Sequence, residues 1–146
     1  PTHAFFGEKD AQQLLIVKKM VKDMAYPIEI IACPIIRHNN GLAMSSRNSY
    51  LPESEQETAS IIYRALKDGK NLIISGERDA KKIREKITQT IIQESILQID
   101  YVSVAEAETL IEISGNISNN ILVSIAVFLG KTRLIDNFNY SISPSQ

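Results

Sequence analysis

Ala4-Phe5-Phe6-Gly7, then a helical pattern running to Met24, then Pro27-Ile28-Glu29-Ile30-Ile31-Ala32-Cys33-Pro34, is the stretch whose reading decides the fold. Two aromatics and a glycine ahead of a helical pattern read as the end of a buried strand turning into a helix. Leu14, Val17, Val21 and Met24 share one face, while Lys18, Lys19, Lys22 and Asp23 lie largely elsewhere. Pro27 stops that helix. Ile28 to Cys33 is apolar, rich in β-branched residues and bounded by prolines, as a covered parallel strand is. Strand, helix and strand in that order make a βαβ unit. Such crossovers belong to sheets with helices on their faces, and two strands are too few for one. This opening stretch is therefore expected to be the tail of a larger α/β domain.

Composition sets the outer bounds. A chain of 146 residues with 44% apolar and 23% charged residues has the make-up of a folded globular protein. Sixteen Lys and Arg against seventeen Asp and Glu leave a net charge of -1, which supplies no field for gripping nucleic acid or an anionic membrane. One cysteine, Cys33, cannot form an internal disulfide and suits a reducing compartment, so a cytoplasmic location is expected. The longest apolar stretch, around Ile121 to Leu129, is far short of the roughly 20 residues of a membrane helix. The start, Pro1-Thr2-His3, has no methionine and no basic leader, as if something preceded it.

Between Arg37 and Leu51 the periodicity disappears, which marks a functional loop and a domain hinge. Asn39, Asn40 and Gly41 offer little to pack, so Arg37 to Arg47 is expected to be mobile until nucleotide orders it. Pro52 with Glu53, Glu55 and Glu57 suits a helix start, and Ser54 with Glu57 has capping-box spacing. Ala59, Ile62, Tyr63 and Leu66 form its inner stripe. Asp79 opens a second helix with Ile83, Ile87 and Ile91 inward, continued by Ile92 or Ile96. Strand patterns follow at Ile99 to Val104, Ile121 to Phe128 and Thr132 to Ile135, with Gly130-Lys131 as a hairpin turn. The region from the loop onward reads as α+β: a small antiparallel sheet with helices on one side.

Two constellations have the elements of phosphate chemistry. In Gly7-Glu8-Lys9-Asp10-Ala11-Gln12-Gln13 a strand end, a glycine and a helix start coincide, and unpaired N–H groups beside Lys9 favour an anion. The plainer reading is that Asp10 and Gln13 form a capping box and Lys9 is solvated. In Gly41-Leu42-Ala43-Met44-Ser45-Ser46-Arg47-Asn48, Gly41 permits unusual backbone angles, Ser45 and Ser46 offer hydroxyls and Arg47 is a fixed-charge fork for phosphate oxygens. The plainer reading there is a polar linker.

Taken in order and separated by a strand, the two segments resemble the pantothenate synthetase (pantoate–β-alanine ligase) family of the nucleotidyltransferase superfamily. Asp100-Tyr101-Val102-Ser103-Val104-Ala105-Glu106 and Gly130-Lys131-Thr132-Arg133-Leu134-Ile135-Asp136-Asn137 are similar to that family's C-terminal domain. The resemblance implies an α/β chain in which residues 1–40 are the end of a Rossmann-like nucleotide-binding domain. Residues 41–146 would be a small α+β lid domain that opens with the Met44-Ser45-Ser46-Arg47-Asn48 loop. The implied activity is ATP-dependent condensation of pantoate with β-alanine through a pantoyl-adenylate, with magnesium required and a homodimer as the assembly.

By the same resemblance Gly7, Glu8, Lys9 and Asp10 fall on the ATP-binding segment, Gln13 on the pantoate-binding glutamine, and Ile36 on a backbone contact to adenine. Met44, Ser45, Ser46 and Arg47 fall on the mobile loop that engages the phosphates. Lys9 and Arg47 are the catalytic candidates, because adenylation rests on positioning and on stabilising growing oxyanion charge.

Departures from the family pattern are equally specific. Its His-x-Gly-His motif has no counterpart here, since neither His3 nor His38 has that context, and acidic residues are usual where this chain has His38 and Asn40. The chain is thus expected to be a fragment, inactive alone. The competing reading is a non-catalytic α+β binding or interaction module. Cys33 with His3 or His38 as a thiol–base pair is disfavoured by the apolar setting of Cys33, and one cysteine with two histidines makes no metal set, so no protein-only metal site is expected. Arg64 to Lys86 carries eight basic and four acidic residues. Their alternation and the lack of interleaved aromatics suit solvated helix faces better than a nucleic-acid surface.

Overall fold

The structure, a computed structural model, describes residues 1–142. The chain separates into two compact units, Pro1–Ile36 and the remainder from Arg37. The division falls slightly before residue 40 because Arg37 and His38 are bonded to Leu42 and Ala43. The His38 N–H donates to the Leu42 carbonyl at 2.9 Å, and Arg37 pairs with Ala43 in an isolated bridge.

The first unit is the βαβ crossover. Strand β1, His3–Gly7, lies parallel to β2, Glu29–Cys33, with His3 opposite Glu29 and Gly7 opposite Cys33. Helix α1, Ala11–Asp23, connects them after a short 3₁₀ turn at Glu8–Asp10. Leu14 is its buried residue and Val17 and Val21 are half-buried, but Met24 lies past the helix end and is 54% exposed. Asp10 stands at the N-cap without a side-chain cap bond, so the expected capping box is absent.

The second unit is a three-stranded antiparallel sheet packed against helices. The strands β3 (Leu97–Glu106), β4 (Ile121–Leu129) and β5 (Thr132–Tyr140) follow in sheet order. Leu129 pairs with Thr132, which leaves Gly130 and Lys131 as the hairpin loop, and Gly130 takes φ 58°. Ile121, Val123, Ile125 and Val127 of the central strand are fully buried. They meet Ile62 and Ile73 of α3 (Ile61–Ile74) and Ile83, Ile87 and Ile91 of α4 (Ala80–Ile91). Each such side chain contributes about 1.5–3 kcal/mol by leaving water. Exposed pairs such as Lys19–Asp23 and Lys81–Glu85 contribute about 0–1 each. The apolar layer is what holds this unit together.

Helix ends differ from the sequence reading in instructive ways. The helix expected from Pro52 breaks at Ser60 into α2, Glu53–Ala59, and α3. The Ser54–Glu57 capping box is not used, because the Pro52 carbonyl already accepts from the N–H groups of Glu55 and Gln56. At α4 the expected cap does form: Asp79 accepts from the Lys81 N–H at 2.8 Å. One residue pair further back, Glu77 accepts from the N–H groups of Asp79 and Arg78, and the first of these bonds chiefly holds its carboxyl below the usual value. Ile92 and Ile96, expected to continue the α4 stripe, are 62% and 55% exposed because the helix ends at Ile91.

One buried ion pair fastens the chain's entry into this unit. Arg37 donates through both terminal nitrogens to the Asp136 carboxylate, at 2.9 Å for Nη2 to Oδ1, and the Asp136 side chain is 2% exposed. The guanidinium also donates to the Gly41 carbonyl at 3.1 Å and stacks 4.1 Å from the Tyr63 ring centroid. Gly41 is required twice over. Its φ is 93°, and a Cβ would collide with the Cδ1 edge of the Tyr63 ring.

Removing one partner of a buried pair strands the other, so Asp136→Ala is expected to lose about 3 kcal/mol or more of stability, read from the urea midpoint. Lys19→Ala, at an exposed pair, is expected to change it by well under about 1 kcal/mol. The α3–α4 contact is equally tight, since a Cβ on Gly69 would lie 2.7 Å from Ile87 Cδ1 and Cγ1. Gly69→Ala is expected to cost about 1–3 kcal/mol by overpacking. Because Ile87→Ala opens the space that clash needs, the double variant should be more stable than the sum of the two singles, a coupling of about 1 kcal/mol in a double-mutant cycle.

Candidate functional site

In the first unit the sequence-predicted residues gather at one end of the sheet. Both strands are parallel, so their carboxyl ends, Gly7 and Cys33, lie side by side. Glu8, Lys9 and Asp10 follow β1 directly in the 3₁₀ turn, Gln13 stands exposed on the first turn of α1, and Ile36 comes three residues after β2 and is 69% exposed. The carboxyl edge of a parallel sheet is where α/β folds present ligands. Gly7 itself has ordinary extended angles, φ -72° and ψ 135°, and a Cβ there would meet no atom within 4 Å. Neither conformation nor packing among the described residues asks for a glycine, and the backbone here is open to close approach.

In the second unit Met44, Ser45, Ser46 and Arg47 are brought together on a short projecting segment. The chain turns tightly at His38–Gly41 and buries Leu42 and Ala43, each 4% exposed. It then emerges, with Met44 48% exposed and Ser46 and Arg47 exposed. Ser45 Oγ accepts from the Arg47 N–H at 3.2 Å and so caps the 3₁₀ turn Ser46–Tyr50. Arg47 extends to donate through Nη1 to the Arg133 carbonyl at 3.3 Å. Its charge has no carboxylate among the hydrogen-bond partners described. Arg133, for its part, holds Asp100, the extra residue at a register shift of β3.

The expectation that Asn39, Asn40 and Gly41 pack little holds for the two asparagines, which are exposed, and fails for Gly41. Gly41 is buried beneath the Tyr63 ring, and Asn40 bridges two elements, accepting from the Leu42 N–H and donating to Glu57 at 3.0 Å. A cavity of about 660 Å³ adjoins this turn, lined among others by Arg37, His38, Glu57, Tyr63, Arg64 and Lys67.

Sequence reasoning missed the residues that hold the projecting segment. Asn48 is 5% exposed, and its Nδ2 donates to the Ala43 carbonyl at 3.1 Å and to His38 Nε2 at 3.2 Å. Its Oδ1 is buried without a partner, which costs about 1–3 kcal/mol. Turning the amide over would set Oδ1 against the Ala43 oxygen, acceptor on acceptor, so the orientation seen is the one the site permits. Behind it Gln56 donates to the carbonyls of Asn48 and Leu51 at 3.1 and 3.0 Å. An asparagine after Ser-Ser-Arg reads as a turn residue in sequence, and nothing in the spacing announces that it is a core donor.

Among the described residues no three His, Cys, Asp or Glu side chains cluster so as to hold a metal ion, and no helix is long and apolar enough to cross a membrane. Cys33 is free and half-buried.

A sequence model of the family described as pantoate-beta-alanine ligase matches residues 1–139. Pantothenate synthetase of Clostridium botulinum strain 657 is 51% identical over 142 residues, which is 97% of this chain and 50% of that protein. Pantothenate synthetase of Clostridioides difficile strain 630 is 50% identical over 143 residues, 98% of this chain and 50% of that one. Among solved structures, pantothenate synthetase from Thermus thermophilus superposes with a TM-score of 0.89 at 33% identity, over 94% of this chain and 49% of the other. Pantoate-beta-alanine ligase from Francisella tularensis, complexed with beta-gamma ATP and beta-alanine, gives 0.61 at 33% identity, over 94% and 43%. The chain spans about half the length of the curated relatives it matches. Its parallel βαβ unit and its antiparallel sheet with helices are the nucleotidyltransferase-like and C-terminal parts of that fold, and the chain belongs to the pantoate-beta-alanine ligase family.

Proposed function

We propose that the protein of which this chain forms part joins pantoate to β-alanine at the expense of ATP. The pantoate carboxylate attacks the α-phosphorus, diphosphate leaves, and the β-alanine amine then displaces AMP from the pantoyl-adenylate. The observation that carries this reading is the family match over nearly the whole chain, at half identity to pantothenate synthetases. The Francisella relative, complexed with beta-gamma ATP and beta-alanine, supports the same small molecules as ligands here.

Within that reading the first unit, Pro1–Ile36, supplies the nucleotide-binding edge and the second, from Arg37, the lid domain. Gly7, Glu8, Lys9 and Asp10 border the ATP, Ile36 meets adenine through its backbone, and Gln13 orients pantoate. Met44, Ser45, Ser46 and Arg47 engage the phosphates. Lys9 and Arg47 do the electrostatic work, offering a point charge and a planar fork to oxygens that gain charge as diphosphate departs. The single neutral hydrogen bond of Arg47 to a carbonyl supports this assignment, because a phosphate oxygen is a stronger acceptor for a guanidinium than a peptide oxygen is.

Magnesium enters this reading as an ion carried on the nucleotide phosphates, the usual way that ion is held. It would neutralise phosphate charge there. A cytoplasmic location and a homodimeric assembly complete the reading; the first is supported by the free Cys33 and the second by the family resemblance.

The test is pantoate-dependent exchange of labelled diphosphate into ATP by the full-length protein. Lys9→Ala is expected to lower that rate on the order of 10²-fold or more, as loss of a preorganised charge donor does. Exchange at the wild-type rate would remove Lys9 from the mechanism. A binding module would show no exchange and a stable macromolecular complex instead. Gly7→Ala separates site from scaffold: we expect an unchanged melting temperature with KM for ATP raised about tenfold, the loss of one close backbone approach.

A further inference from the structure

We propose that Asn48 is a positioning residue for the Met44–Arg47 segment and that His38, as a neutral imidazole, locks it, so that acid releases the segment. The functional half of this rests on the ligase reading. The structural half does not.

Four observations carry it. Asn48 lies immediately after Arg47, and its amide is the side-chain link between that turn and the strand-like entry at Ala43. The amide can face only one way, because its reverse sets oxygen against the Ala43 oxygen, and it holds that way although Oδ1 is left unbonded. With Nδ2 pointing at His38 Nε2, the ring nitrogen has to accept, which requires a bare lone pair on Nε2. His38 is itself held at the backbone, donating to Leu42 and accepting from Gly41, and Arg37 beside it is clamped to Asp136. A change at the ring therefore falls on Asn48 rather than on the turn that bears the histidine.

Protonation turns Nε2 into a donor facing a donor. The bond is lost and two N–H groups oppose each other. The state of the ring therefore decides the bond, and pH is the variable that tests it. The charged groups facing this part of the unit are Arg37, Glu57 of α2, Arg64 and Lys67 of α3, and Glu94 after α4, with Asp136 of β5 behind Arg37. Cations and anions are evenly mixed there.

Two measurements decide the matter. ¹⁵N spectra of the histidine rings should show the His38 proton on Nδ1 at about pH 8, and titration of that ring should move the amides of Ala43 to Asn48 with the same midpoint. A proton on Nε2, or a ring that titrates while those amides stay still, overturns the lock. In the full-length protein, kcat for exchange should fall about fivefold from about pH 8 to about pH 5.5, the effect of one neutral hydrogen bond, with KM for pantoate little changed. His38→Gln keeps an acceptor that does not titrate and should flatten that limb. His38→Ala has no acceptor and should show at about pH 8 the rate that the unaltered protein shows at about pH 5.5. An acid limb that His38→Gln leaves in place overturns the positioning role even if the spectra show the lock. Absence of exchange at any pH would refute the ligase reading, and the spectra would still decide the lock.

Discussion

A carboxylate on the inner part of a sheet edge is an expensive thing to bury, and Asp136 is nearly as deep as the isoleucines around it. Its charge is sustained there by the Arg37 guanidinium, aligned as a two-pronged match, and by the Asn137 N–H at 2.8 Å. Everything about the turn from His38 to Ala43 follows from that anchorage. With Arg37 fixed, its remaining N–H reaches the Gly41 carbonyl, Tyr63 stacks on the planar face, and Gly41 must be a glycine to pass beneath the ring. Leu42 and Ala43 then dip into the apolar layer, and the chain leaves it again at Met44 with its direction already set.

Held from behind and open in front is the arrangement that the proposed role of this segment, meeting charged oxygens, calls for. The serines, Arg47 and Met44 project from a turn whose own polar groups are mostly engaged, by Ser45 in front and by Asn48 and Gln56 behind. The backbone of the turn is thus held by its own hydrogen bonds while the side chains of Met44, Ser46 and Arg47 stay exposed, and in the proposed reading a backbone fixed in advance serves the transition state. In the first unit Gly7, Lys9 and Gln13 lie where parallel strands end and a helix begins.

The βαβ unit was legible because its periodicity changes twice within a short span, and the β4–β5 hairpin because Gly130-Lys131 permits only a narrow set of turns. Both signals are local. The short reading of β5, ending at Ile135, failed for a physical reason: Asp136 looks like the polar end of a strand, and it continues inside only because a cation from Arg37 neutralises it. Strand β3, read as Ile99 to Val104, runs two residues further at each end, from Leu97 to Glu106, and the bulge at Asp100 inside it is tied down by Arg133. The phosphate-site candidates came from the family resemblance, since residue type alone left the plainer readings, a capping box and a polar linker, open. Asn48 could not be picked out from either, since its importance comes from what surrounds it in space. The Ser54–Glu57 spacing misled in the opposite sense, presenting a cap that a proline carbonyl had made unnecessary.

The anchoring pair spans 99 positions of chain. During vectorial synthesis on the ribosome Arg37 emerges long before its partner, and β5 is the final strand of the sheet to appear. The turn that begins this unit is consequently among the last parts of it to acquire its shape, waiting on a contact of very high sequence separation whose closure entropy is met only when the hairpin docks. Nascent chains halted anywhere before that strand carry a guanidinium without its Asp136 partner, so the clamp on this turn comes only with completion of the sheet.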